Sequence, residues 1–148
     1  MSSGLWTESY CADALDNNKG WKKAKAAFQK LRASLIEDGW RTPDCYSNLF
    51  EAVPDGPGVY LLLAINRCFH DNGFVAYVGM SKRLIRRIGP FNPNSTRHPT
   101  AKEIEKTGLW PQRWIKCVQG RPLRDWERFY IEKYNPPYNI IGRQRGVH

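Results

Sequence analysis

The sequence predicts a small α/β domain: a three-stranded, mainly antiparallel sheet flanked by helices, with a helical extension at the N-terminus. Three observations predict it. Two runs rich in large apolar residues, Gly58 to Ile65 and Phe74 to Val78, stand on either side of the turn signal Asp71-Asn72-Gly73. Elsewhere, apolar residues recur at three- and four-residue steps, the spacing of one helix face. The 148 residues suffice for one core and not for a catalytic domain with a full independent partner domain.

In chain order, Trp21, Ala24, Phe28, Leu31 and Leu35 form an apolar helical stripe, with Lys22, Lys23, Lys25, Lys30 and Arg32 on the other faces. Gly39 is placed to end this helix. Either the helix docks its stripe and solvates its lysines, or it is also a basic arm over a nucleic-acid groove. Residues 40–57 carry Pro43, Pro54 and Pro57 and predict a loop-rich connection, with a short helical turn between Tyr46 and Val53. The two strands of the hairpin follow. Ser81 caps a basic helix over Lys82 to Ile88, which Gly89-Pro90 ends. A proline-containing loop leads to a short helix from about Pro99 to Lys106, stopped by Gly108. Gln112 to Val118 is the third strand, and Pro122 opens a helix that runs to about Tyr134 before Asn135-Pro136-Pro137. Residues 1–50 are thus a helical extension packed on the core, and residues 51–148 the domain proper.

Charge narrows the function. Lys and Arg number 23 against 14 Asp and Glu, a formal +9, so a polyanionic partner such as nucleic acid is expected. No stretch approaches the roughly 18 apolar residues of a membrane span, and no signal-peptide core stands at the N-terminus, so the expected setting is soluble and cytoplasmic with no membrane partner. A homo-oligomer is compatible with the sequence but not indicated. Cys11, Cys45, Cys68 and Cys117 lack zinc-site spacing and are expected as reduced, mostly buried thiols.

One side chain stands out on chemistry alone. With Leu123 as origin, Glu127 falls at roughly 40° around the last helix, among Tyr134 at about 20°, Tyr130 at about −20° and Ile131 at about 80°, while Asp125, Arg128 and Glu132 lie on the opposite side. A carboxylate on an apolar stripe must be paired, protonated or metal-bound. Periodicity leaves a structural salt bridge and a metal ligand equally open.

Gly58-Val59-Tyr60 opening one strand, Tyr77-Val78-Gly79 in the next, Arg87 on the following helix, Glu127 on a later one and Asn139 beyond it, in that order, resemble the GIY-YIG endonuclease family. The likeness runs from about Pro57 to Asn139, with valine for isoleucine in both tripeptides. It implies a divalent-metal-dependent DNA endonuclease with one Mg²⁺ or Mn²⁺ per site, held by Glu127. Tyr60 would be the general base, its pKa lowered by Arg87, Arg86, Lys82 and the ion, and Tyr77 would orient the attacking water. Arg87 would stabilise charge on phosphate oxygens and Asn139 would brace the site. Lys22, Lys23, Lys25, Lys82, Arg83, Arg86, Arg143 and Arg145 are the candidates for phosphate-backbone contact. Some family members carry a histidine or tyrosine about four residues past the arginine, where this chain has Phe91. His98 is the second-tier substitute, a surface-loop histidine being the stronger expectation. The resemblance fits a compact restriction-type or phage-borne enzyme; the alternative is a non-cleaving nucleic-acid-binding module on a nuclease fold.

Overall fold

The computed structural model describes residues 18–44, 52–89 and 98–139. Its elements are α1 (Asn18–Glu37), β1 (Gly58–Ile65), β2 (Gly73–Ser81), α2 (Leu84–Ile88), α3 (Pro99–Lys106), β3 (Trp110–Cys117) and α4 (Leu123–Tyr134). The strands form one antiparallel sheet in the order β2-β1-β3. This is an α+β fold, a three-stranded sheet flanked by helices, as the apolar runs and helical stripes predict. The turn of helix expected between Tyr46 and Val53 falls mostly outside the described residues, as do Phe91, Arg143 and Arg145.

β1 is buried along its whole length because it is central and both its faces are covered. Alternation along the strand divides its side chains. Val59, Leu61, Leu63 and Ile65 point to a core built with Phe28, Leu35, Trp40, Trp114 and Tyr130, so α1 and α4 cover that face. Tyr60, Leu62 and Ala64 point the other way, toward the buried residues of α2 and α3. Between Leu62 and Leu63 the pairing with β2 slips, leaving Ala76 as an extra residue, and this bulge resets which β2 side chains face which layer.

A polar cluster ties the first face together. The Lys116 ammonium donates to Asp38 at 3.0 Å and to the Tyr130 hydroxyl at 2.6 Å, and that hydroxyl donates to Asp38 at 2.8 Å. Burial opposes ionisation of Asp38, but its hydrogen bonds from Lys116 and Tyr130 outweigh that and hold the carboxyl below its usual range. Gly39, at φ 91°, ends the turn after α1 in the left-handed region a side chain would disfavour.

The cysteines follow expectation in part. Cys68 is disulfide-bonded, against the expected reduced thiol, while Cys117 is free as expected but exposed and not buried. Sequence spacing carries no information about a bond closed by tertiary folding. No helix among the described residues is long and apolar enough to cross a membrane.

Candidate active site

The two tripeptides meet across β1 and β2. Tyr60 lies opposite Gly79 and Leu62 opposite Tyr77, so the two tyrosines are diagonal neighbours on one face, with ring centroids 6.1 Å apart. The glycines are there for close approach. A Cβ on Gly79 would stand 2.5 Å from the Tyr60 hydroxyl oxygen, inside its van der Waals shell, so only glycine lets the Tyr60 ring lie across β2. At Gly58 a Cβ would come 2.6 Å from Leu84 Cδ1 and 2.7 Å from the Lys116 carbonyl oxygen, so that glycine lets α2 pack directly on the sheet.

The Tyr60 side chain is buried, and its hydroxyl is the centre of a polar group. His98 Nε2 lies 2.8 Å from it, and Arg87 Nε–H donates to it at 3.3 Å. Burial and the neighbouring Tyr77 push the Tyr60 pKa far above that of an ordinary phenol, against the opposing pull of Arg87. Tyr77 is raised by burial and by the Glu127 charge, again with Arg87 opposing. The cations therefore do not lower the Tyr60 pKa as the charge count suggests. Only Arg87 acts on it, and desolvation is the larger effect; Lys82 and Arg86 are exposed.

His98 is 2% exposed, which corrects the expectation of a surface-loop histidine. It is the residue before α3, whose N1 position is Pro99, and its ring packs edge-on against both tyrosines at centroid distances of 5.6 and 5.4 Å. Burial and the Arg87 cation lower its pKa to about 4. At neutral pH the ring is therefore uncharged. With Arg87 donating to Tyr60, the consistent assignment is that Tyr60 donates its proton to His98 Nε2.

Glu127 and Asn139 approach from the β2 edge. Asn135, left-handed at φ 47°, ends α4 and turns the chain back toward the sheet. Asn139 Oδ1 then accepts from Val78 N–H at 2.7 Å while its Nδ2 donates to Val78 C=O at 2.8 Å. β2 is an edge strand, so these backbone groups have no strand partner on that side, and the asparagine amide supplies one. Asn139 thereby fixes the strand segment between Tyr77 and Gly79. Beside it opens a cleft of about 670 Å³ lined by Tyr77, Arg124, Glu127, Arg128, Ile131, Glu132 and Asn139. Glu127 is half-buried at this cleft, not sunk in the core.

Among the described residues no three His, Cys, Asp or Glu side chains converge to hold a metal. Among these residues Glu127 belongs to no closed, all-protein cage. The cleft holds two carboxylates, the half-buried Glu127 and the exposed Glu132, and hard carboxylates on an open cleft fit a cation that keeps water and phosphate oxygens as its other ligands, which is the habit of Mg²⁺.

The basic candidates separate. Lys82, Arg86 and Arg87 are exposed on and around α2, and of these Arg87 reaches the Tyr60 hydroxyl. Arg83 is engaged by Asp55 through two hydrogen bonds of 2.7 Å. Lys22, Lys23 and Lys25 are not brought to the site. Trp21 packs against Phe69 in the β1–β2 connection, so the basic start of α1 lies at the far end of β1 from Tyr60 and on the opposite face of the sheet. Arg124 and Arg128, not singled out from the sequence, line the cleft with Glu127. Arg124 lies three residues before Glu127 and four before Arg128, the helical spacing that connects them across this flank, so the cleft also takes in Arg128 and Glu132, which the helical angles put on the opposite side from Glu127.

No family model and no solved structure matches the chain. It is similar to the UvrABC system protein C of Psychrobacter cryohalolentis and of Psychrobacter arcticus, at 28% identity over 96 residues, 65% of this chain and 14% of each relative. It is also similar to the UvrABC system protein C of Saccharopolyspora erythraea, at 30% identity over 100 residues, 66% of this chain and 13% of the relative. The chain thus spans about one seventh of the length of the curated relatives it matches.

Proposed function

We propose that this chain is a divalent-metal-dependent DNA endonuclease acting at the cleft lined by Tyr77 and Glu127, beside the buried Tyr60. The observation that carries this is the buried Tyr60 hydroxyl, held between a neutral imidazole and a guanidinium, beside a cleft that Glu127 lines. The similarity to UvrABC system protein C supports a DNA nuclease at that coarse level.

Phosphodiester hydrolysis needs a deprotonated water, charge stabilisation on the phosphate and a proton for the leaving oxygen. A phenol with a raised pKa is a poor base by itself. Tyr60 has a way round this, because it can pass its own proton to His98 Nε2 as it takes one from the attacking water. The net transfer is from water to imidazole. Arg87 is one of the two causes that lower the His98 pKa, so a phosphate anion beside Arg87 offsets that contribution and makes His98 a better acceptor when substrate is bound. Tyr77 orients the water, and the Arg87 fork meets charge developing on the phosphate oxygens. Asn139 keeps β2 in place for both tyrosines. A cation held by Glu127 would supply Lewis-acid polarisation of the phosphate and stabilise the leaving oxygen, which takes its proton from solvent at the open cleft. Lys82, Arg86, Arg124 and Arg128 are the nearest groups for the flanking phosphates.

The test is digestion of mixed plasmid and genomic DNA by the purified protein with Mg²⁺, Mn²⁺ or chelator, alongside Glu127→Gln. Cleavage that needs the divalent ion and is lost in Glu127→Gln, with DNA binding retained, is the expected result. Binding without cutting under every condition would instead favour the non-cleaving module. The restriction-type or phage-borne role is part of the proposal, and discrete mapped ends would support it where random ends would not.

A further inference from the structure

Arg87 is useful only if its guanidinium is held against Tyr60, yet α2, which carries it, has five residues and cannot be stable alone. Its ends are fixed by other parts of the chain. At the start, Leu84 N–H donates to Gly56 C=O at 2.9 Å and Ile85 N–H to Pro54 C=O at 3.0 Å. At the end, where helix carbonyls lack partners, Arg113 reaches in from β3: its Nη1 donates to Ile88 C=O at 2.8 Å and to Gly89 C=O at 3.3 Å. The rest of that guanidinium is held by Asp44, with Nη2 donating to Oδ1 at 2.7 Å and Nε to the same oxygen at 3.2 Å. Asp44 Oδ2 also accepts the Arg113 backbone N–H at 2.7 Å. Thr42, whose hydroxyl donates to Arg113 C=O and accepts Asp44 N–H at 3.1 Å, closes the arrangement.

We infer that Arg113, locked by Asp44, is a positioning residue for the proposed reaction: it holds the end of α2 so that Arg87 meets the Tyr60 hydroxyl. Arg113 is 8% exposed, and burying an ion pair is not an economical route to stability, since packed apolar residues commonly serve as well. What the pair provides is geometry. A planar fork serves a carboxylate and the helix-end carbonyls at once, and a lysine ammonium cannot span them. The 41–44 segment, joined to β3 by the Arg41–Ile115 bridge, is thereby coupled to the position of the arginine next to Ile88.

The inference rests on the nuclease reading for its consequence but not for its geometry, so two readouts are taken on Arg113→Lys. The first is the Arg87 Nε–H resonance in ¹H–¹⁵N spectra of the full chain, assigned with Arg87→Lys. Its exchange with solvent should rise by about 10-fold or more, while melting temperature and amide dispersion stay close to wild type. The second is steady-state cleavage, where kcat should fall about 10- to 100-fold with KM within about twofold, the range for a misplaced catalytic group. If Arg113→Lys fails to fold, Asp44→Asn is read the same way. Unchanged Arg87 exchange overturns the inference even if the enzyme cuts. A kcat loss that only follows the unfolded fraction overturns it as well. If the wild type does not cut, the nuclease reading fails separately and the exchange result still decides the positioning.

Discussion

His98 offers the sharpest quantitative test, because its environment makes a prediction about stability that does not depend on the reaction. Burial and the Arg87 cation both disfavour the imidazolium, and the folded pKa is about 4 against an ordinary 6.5. Between these values the unfolded chain binds a proton that the folded chain does not, so stability from this residue is present above pH 6.5 and is lost as pH falls through about 4. The gap corresponds to roughly 3 kcal/mol, a large share of the stability of a domain this size. The assay is urea unfolding of wild type and His98→Gln at intervals from pH 4 to 8, reading the difference between the two so that other titrating groups cancel. The wild-type curve should fall more steeply than that of the variant on the acid side, by about 3 kcal/mol in total. An NMR titration of the His98 ring should give its midpoint near the same low value, and Arg87→Gln should raise it only part of the way, because burial remains. Parallel stability curves, or a ring that titrates near 6.5, would refute the neutral buried imidazole and with it the proton acceptor for Tyr60.

Three further outcomes follow from the same geometry. Tyr60→Phe removes the shared hydroxyl with little change in packing and should slow cleavage by about 100-fold or more, with Tyr77→Phe costing less; equal rates for Tyr60→Phe and wild type from pH 6 to 9 would remove the proton-transfer role. Gly79→Ala forces a methyl group onto the Tyr60 ring, so a thermal melt should show about 1–3 kcal/mol of destabilisation together with slower cutting, and an unshifted melt would mean that the ring has room to move. Neutralising Lys82 and Arg86 should flatten the dependence of log affinity on log salt more than neutralising Lys22, Lys23 and Lys25 together; the reverse order would assign the start of α1 to the DNA interface.

Where local chemistry decides structure, the sequence was a sufficient guide. The run Gly58 to Ile65 had to be a doubly covered strand, since eight residues with no charge among them leave no face for water. The helix ends follow from single residues, a left-handed Gly39, Pro99 in a first turn and a left-handed Asn135 before two prolines. The order of Tyr60, Tyr77, Arg87 and Asn139 along those elements is enough to place four of them around one strand pair. What the sequence hides is whatever depends on depth or on distant partners. His98 stands among prolines and polar residues, with no periodicity to mark it as buried. Counting cations near Tyr60 gives the wrong direction for its pKa because desolvation has no signature in a charge count, and only the fold reveals that it is the larger effect.

Helical periodicity has a similar blind spot. It tells which face of a helix meets the core and nothing about which end meets the site, so the place of the α1 lysines, at the far end of β1 from Tyr60, shows only once Trp21 is found against Phe69. The Arg113–Asp44 pair is hidden for the same reason, its partners being 69 residues apart in the chain. A short helix carrying Arg87 is held at its start by the Pro54 and Gly56 carbonyls and at its end by Arg113 from β3, so the order written along the chain becomes a geometry through residues that the motif does not contain.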